Sequence, residues 1–337
     1  MIRVALIGFG GIAQLHRYAY WYHNRAGMPV QLVAASDPNP AAFEGMTKIN
    51  LDMPGDIVDE LPFAKYSDWR QMIAEQKPDL VDICVPTLLH EEITIEALKA
   101  GCDVLCEKPM ATAYEPAKRM ADAAAESGRS LMIGQCVRFY PQYIYLREAV
   151  ADGRYGKVAG ASFTRVSPLP MWGGANWRRE NIRNGSSIMD LNIHDIDVMQ
   201  YIFGMPTALS CRLESRTTPY DYSLSRFNYG DYTVEIDSAW LDEKAVFNMS
   251  YAVEFEKGTL RFDGEAVTFT ADGVTQDIAM SGAGGITTEI EYFVDILANN
   301  KENAENPPEQ TVNTMYLLEK CFESGENGGI ILETAEQ

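Results

Sequence analysis

The sequence predicts an α/β fold: a doubly wound parallel sheet, then an α+β domain on a predominantly antiparallel, open-faced sheet. Three observations lead there. Short aliphatic runs at 2–7, 30–36, 80–85, 104–106 and 131–134 alternate with helix-like segments, and such alternation implies parallel pairing. Beyond Gly134 the texture changes. Strand-like runs at 158–166, 208–214, 232–241, 247–256 and 259–263 alternate in polarity across short turns such as 256–258 and 272–273, which suits antiparallel hairpins. A length of 337 residues also exceeds one typical domain and suits two. We therefore divide the chain into 1–134 and 135–337.

Ile2–Ile7 is a run of the kind buried on both faces of a sheet. It enters a helix read from Ala13 to Tyr22 through Gly8, Phe9, Gly10, Gly11, Ile12 and Ala13, which fit G-x-G-x-x-A. Such a turn lets the backbone approach a pyrophosphate and aims free helix N–H groups at it. A second strand, Val30–Ser36, ends in Asp37, whose carboxylate can accept from both ribose hydroxyls and repels a 2′-phosphate. Pro38 and Asn39 follow, with no Arg or Lys, so NAD is favoured over NADP. Asp37 lies later than the usual roughly twenty residues, so 18–29 reads as a lengthened helix and loop. The plain rival is a turn acid before Pro38.

The remaining elements follow in order. Residues 40–62 read as helix and loop, 63–66 as a short strand, and Ser67 with Asp68 as an N-cap before a helix from Trp69 to Glu75. The buried run LVDICV stops at Pro86, a helix from Glu91 to Ala100 ends at Gly101, and Val104–Cys106 leads to Glu107, Lys108 and Pro109. A helix from Glu115 to Ser127 and a last strand at 131–134 complete the first domain. Ligands bind such sheets at the carboxyl ends of the strands. That edge collects Gly8–Ala13, Asp37, Pro86–His90 and Glu107–Pro109. Helices at 141–152, 188–203, 288–299 and 310–324 are expected on one face of the second sheet. The other face needs cover, and a second copy of the chain is the simplest source.

Composition excludes several classes. A net charge of −20 disfavours nucleic acid and anionic membrane, which are bound through Lys and Arg. No segment approaches the roughly 18 apolar residues of a membrane span, and the glycine turn interrupts the first apolar run before it resembles a secretion signal. The expected location is cytoplasmic. None of the six cysteines forms C-x-x-C, so they read as reduced and buried.

GFGGIA at 8–13, PTLLH at 86–90, CEKP at 106–109, GQCVRF at 134–139 and DLNIHD at 190–195 together resemble the Gfo/Idh/MocA family of NAD(P)-dependent oxidoreductases. Order and spacing agree over nearly the whole chain. The resemblance implies a Rossmann domain presenting nicotinamide to a sugar or polyol held by the second domain; the uncovered sheet face leads us to expect a homodimer or homotetramer joined through the C-terminal sheet. It also implies Lys108, Asp190 and His194 as the catalytic set, a cis Lys108–Pro109 peptide, and Thr87 and His90 beside the cofactor, where the strand-end rule also puts Pro86, Glu107 and Lys108.

The chemistry agrees. Oxidising an alcohol removes a hydride from carbon and a proton from oxygen, so a base must reach the hydroxyl. His194 is suited to this, since an imidazole titrates near neutral pH. Asp190 lies four residues earlier, on the same helical face, where it orients the ring or grips substrate. Lys108 supplies a cation beside the developing alkoxide. Arg138 either binds substrate or ties helix to sheet. Asn192 stands where the family commonly has Gly, which would narrow the pocket. An irregular loop at 171–179, with Trp172, Trp177 and Arg178, is expected to close on the substrate or to pack at a subunit contact. Asp190, His194, Asp195 and Asp197 would suit a metal, but no second His or Cys cluster accompanies them, so none is expected. Two rivals remain: glycoside hydrolysis through transient oxidation by tightly held NAD, and a non-catalytic nucleotide or sugar sensor.

Overall fold

The computed structural model describes residues 1–44, 62–170, 183, 185–282 and 284–334. The first strands are β1 (Ile2–Ile7), β2 (Val30–Ser36), β3 (Ala64–Tyr66), β4 (Leu80–Ile83), β5 (Asp103–Cys106) and β6 (Leu131–Ile133). They pair in parallel in the order β3-β2-β1-β4-β5-β6. Strand order reverses beside β1, which opens a crevice at the carboxyl ends of β1 and β4. Every residue of β4 is buried, as central strands covered on both faces require.

Helices α1 (Gly11–Arg25), α2 (Trp69–Gln76), α3 (His90–Lys99) and α4 (Tyr114–Ser127) connect these strands. The α2 N-cap is Asp68, whose side chain accepts from Arg70 N at 2.8 Å, and Gly128 ends α4 at φ +65°. The 15-residue length of α1 accounts for the late position of Asp37.

The second sheet has nine strands: β7 (Val158–Pro168), β8 (Ala208–Glu214), β9 (Tyr222–Asn228), β10 (Thr233–Leu241), β11 (Asn248–Phe255), β12 (Gly258–Phe262), β13 (Val267–Ala271), β14 (Val274–Ile278) and β15 (Leu332–Glu333). Their order is β14-β13-β12-β11-β7-β10-β9-β8-β15, and only β7 with β10 is parallel. Register places Phe163 beside Ile236 and Tyr251 on a buried face. The helices α5 (Pro141–Asp152) and α6 (Ile193–Phe203) belong to the same unit, and α6 lies against β7 and β10. The opposite face presents small polar residues, and Ser162, Thr164, Ser250 and Arg261 line a shallow groove there. Strand β9 escapes a hydrophobicity reading because two of its inward residues are Ser223 and Ser225.

Two further helices, α7 (Ile286–Asn299) and α8 (Pro308–Glu326), follow. The chain forms two compact units, Met1–Phe139 with Ala283–Val312 and Tyr140–Gly282 with Asn313–Gln337. The sequence assigns 288–299 to the second domain; the structure places α7 on the first. Ile290, Phe293 and Val294 share one core with Val4, Leu6, Tyr20 and Val30, and His23 Nε2 lies 2.8 Å from Thr287 O. The buried face of α1 needs an apolar cover, and α7 supplies it. No helix among the described residues is long and apolar enough to cross a membrane.

Candidate active site

The glycine turn is shaped by contact with β4. Gly8 has φ +85°, and a Cβ there would lie 2.4 Å from Cys84 O, so only glycine fits. At Gly10 a Cβ would meet nothing within 4 Å. Gly10 is also the N-cap of α1, which has neither a side-chain cap nor an acid in its first turn. The unsatisfied N–H groups and positive dipole end therefore face open space, an arrangement that attracts an anion. Phe9 N donates to Asp37 Oδ2 at 2.9 Å, and Asn39 N to Asp37 Oδ1 at 2.8 Å. Asp37 is thereby fixed at the end of β2, in a cleft also lined by Phe43, Lys65, Tyr66 and Ser67.

The open space at Gly10 and the fixed carboxylate of Asp37 suit a dinucleotide. The Phe9 side chain instead packs inward, its ring 4.8 Å from Phe43 and 5.4 Å from Phe63. Lys65 is a cation the linear reading overlooked, because β3 pairs with β2 only through the fold.

Lys108, at the end of β5, is half-buried and begins a cis Lys108–Pro109 peptide. Two neighbours expected to touch cofactor turn inward. Glu107 is buried, accepts from Lys108 N at 3.0 Å through Oε2, and has Oε1 2.9 Å from His16 Nε2. His90 is buried with Nδ1 2.8 Å from Pro109 O and Nε2 2.9 Å from Val85 O. Burial holds the His90 pKa below its ordinary value against the pull of those carbonyls. Both side chains thus brace the loop that carries Lys108. Pro86 and Thr87 lie at the exposed and half-exposed start of the next turn.

Beneath the loop is a buried ionic cluster that the sequence reading missed. His16 Nδ1 lies 2.8 Å from Asp82 Oδ2, which also accepts from Tyr20 Oη at 2.8 Å. Burial opposes a charge on His16, but Asp82 and the neighbouring Cys84 outweigh it and raise its pKa well above the ordinary value. Burial likewise opposes the Glu107 carboxylate, yet bonding to His16 lowers its pKa overall. A His at helical spacing with Ala13 and Tyr20, on the buried face of α1, was the available signal.

Glu289 on α7 faces this cluster electrostatically, fully buried, with no hydrogen-bond partner for either oxygen among the described residues. Burial and then the Glu107 charge push its pKa well above 4.5. The folded chain therefore holds a proton that the unfolded chain releases once the pH exceeds that value. Stability is lost as pH rises towards the folded pKa. Glu289→Gln is accordingly expected to melt about 2 °C or more above wild type near pH 8, with the gain vanishing near pH 4.5. Thermal unfolding across a pH series checks this.

In the second unit Asp190 lies in a π-helical turn, Ile188–Asn192, that runs directly into α6 carrying His194. Both are half-buried. Residues four apart stay close across such a turn, which recurs at functional sites. Neighbouring polar residues serve the core instead. Arg165 Nε and Nη2 donate to Asp195 at 2.8 and 2.9 Å, Thr314 Oγ1 donates to Asp197 at 2.9 Å, and Asn192 Nδ2 donates to Ser223 Oγ at 2.7 Å. Asn192 is fully buried, so the expectation that it narrows a pocket is corrected.

Arg138 is open, from sequence alone, between binding substrate and tying helix to sheet. It is buried in the first unit and donates to Glu305 O at 2.9 Å and Gln310 Oε1 at 2.6 Å, tying the returning segment in place. Trp172, Trp177 and Arg178 lie outside the described residues.

Fold and glycine turn define an α/β protein with a dinucleotide-binding edge. Residues 2–135 match the oxidoreductase family with an NAD-binding Rossmann fold, and residues 143–270 match the GFO/IDH/MocA C-terminal domain. The chain belongs to the Gfo/Idh/MocA oxidoreductase family, with an N-terminal NAD-binding domain. It is 28% identical over 290 residues to D-glucoside 3-dehydrogenase of Escherichia coli (strain K12), covering 77% of each chain. It is 29% identical over 205 residues to inositol 2-dehydrogenase of Paracoccus denitrificans, covering 60% of this chain and 54% of that one. The fold is shared with the WlbA dehydrogenase from Bordetella pertussis, solved with NADH and UDP-GlcNAcA, at a TM-score of 0.81 and 20% identity over 100% of this chain and 99% of that one.

Proposed function

We propose that this protein is an NAD-dependent dehydrogenase acting on a hydroxyl-bearing carbon of a sugar, an inositol or a related polyol, or reducing the matching ketone. The observation that carries the reading is the braced lysine. Lys108 sits at the same sheet edge as the glycine turn, on a loop held from below by Glu107 and His90. NAD, when bound, supplies the hydride acceptor.

Lys108 polarises the substrate oxygen and favours its alkoxide character as the proton leaves. His194 takes that proton, and Asp190 orients the imidazole or grips a neighbouring hydroxyl. Asp37 accepts from the ribose hydroxyls and repels a 2′-phosphate, which favours NAD over NADP even with Lys65 in the same cleft.

In this reading the first unit holds the cofactor, and the second supplies substrate contacts and a subunit interface. The open polar face of the second sheet supports a homodimer or homotetramer. The cysteines, all six unbridged, suit a reducing cytoplasm. Glucosides, free sugars and inositols, supplied with NAD and with NADP, test the reading by NADH or NADPH formation. NAD-linked oxidation of at least one is expected. Release of free sugar from a glycoside without net NADH would instead favour hydrolysis, and nucleotide binding with no turnover would favour a sensor.

A further inference from the structure

We propose that His16 is a positioning residue for Lys108, acting through Glu107; this rests on the role assigned to Lys108 above. His16 lies on the helix that opens from the glycine turn, yet its ring points away from that turn into the protein. One nitrogen holds Asp82 on β4 and the other holds Glu107 just past the end of β5. Glu107 uses its second oxygen to accept from the Lys108 amide. A chain of hydrogen bonds therefore runs from the cofactor helix, beneath two strands, to the backbone of the reactive lysine.

Packing leaves this chain little freedom. Asp82 is fully buried and takes a second bond from Tyr20, one turn along α1 from His16. On the other side Gly134 presses against Glu107, where a Cβ would lie 3.1 Å from Oε1 and 3.3 Å from the Glu107 Cα. The carboxylate has one resting place, with both oxygens engaged. Its charge also lies close enough to the Lys108 ammonium to be felt there. His16 thus fixes both the direction of the loop and the counter-charge next to Lys108. A lysine displaced by about an ångström would still permit cofactor binding while losing much of the rate.

Two near-isosteric variants separate this role from a general contribution to folding. The Asn amide nitrogen reproduces the His Nδ1 position, and the Gln amide nitrogen reproduces Nε2. His16→Asn keeps the bond to Asp82 and loses Glu107; His16→Gln does the reverse. The full chain with NAD is compared by hydrogen exchange at the Lys108 amide and by kinetics on the substrate the sugar and polyol series selects.

His16→Asn is expected to speed that amide's exchange roughly tenfold and to lower kcat roughly tenfold or more, with the KM for NAD within about twofold. His16→Gln is expected to keep most of both. Wild-type exchange and kcat in His16→Asn, or equal losses in both variants that track their melting temperatures, would overturn the proposal. Should neither variant fold, Glu107→Gln carries the same two readouts, because its amide oxygen can accept from only one of the two donors. Faster Lys108 exchange and a lower kcat support the tether, and unchanged values overturn it. Lys108→Ala, assayed alongside, separates the two levels: if it keeps full turnover the site reading fails, and if it alone loses turnover only the tether fails.

Discussion

Lys108→Ala is expected to lower kcat about a hundredfold while the Kd for NAD stays within about threefold. The loss follows from the role proposed for the ammonium. As the hydroxyl proton leaves, negative charge gathers on the substrate oxygen, and a fixed cation in a partly desolvated site stabilises that charge more than it stabilises the neutral alcohol. In the proposed reading NAD affinity rests on other features, namely the uncapped start of α1, the open space at Gly10 and the Asp37 carboxylate. Lys108→Arg is expected to restore little, since a planar guanidinium on a longer stem presents its charge differently. Calorimetric titration with NAD and steady-state kinetics check the split. Turnover undiminished in Lys108→Ala would refute the role.

Two alanine substitutions at the glycine turn should separate stability from cofactor binding. In Gly10→Ala the new methyl meets nothing within 4 Å and the backbone, at φ −77°, is open to any residue. Its melting temperature should stay within about 2 °C of wild type. The methyl would nevertheless occupy the space a pyrophosphate needs, so NAD affinity is expected to fall roughly a hundredfold. Gly8→Ala differs, because the methyl would lie 2.4 Å from Cys84 O at φ +85°. Positive φ alone costs about 1–3 kcal/mol in a non-glycine residue, and the overlap adds to it. Gly8→Ala should lose stability and NAD binding together. Equal NAD affinity in Gly10→Ala and wild type would remove the glycine turn from the cofactor site.

Residues whose place follows from a strand end were readable from the sequence. Gly8, Asp37 and Lys108 each follow a short aliphatic run, and in a parallel sheet that position puts them on the ligand edge. The direction of a side chain at that edge was not readable. Glu107 and His90 occupy the same loops but turn inward, because His16, Pro109 and Val85 offer partners that sequence spacing does not reveal. Arg138 turned out to be a tie for the same reason, its partners Glu305 and Gln310 lying far along the chain. The 288–299 helix shows its amphipathic period in either unit, so only three-dimensional packing against Tyr20 and its neighbours decides where it belongs. The buried cluster of His16, Asp82, Glu107 and Glu289 draws on elements that meet only after folding. In β9 the inward serines invert the expected polarity pattern.

The most direct test follows a labelled hydrogen. Glucosides and inositols deuterated at the ring carbons are incubated with the enzyme and NAD, and the reduced cofactor is examined by NMR. Deuterium on the nicotinamide ring of NADH, with the sugar or inositol recovered as its ketone, is the expected result. Deuterium retained in the sugar or inositol or washed out into water, with no reduced cofactor formed, would contradict hydride transfer as the function of this protein.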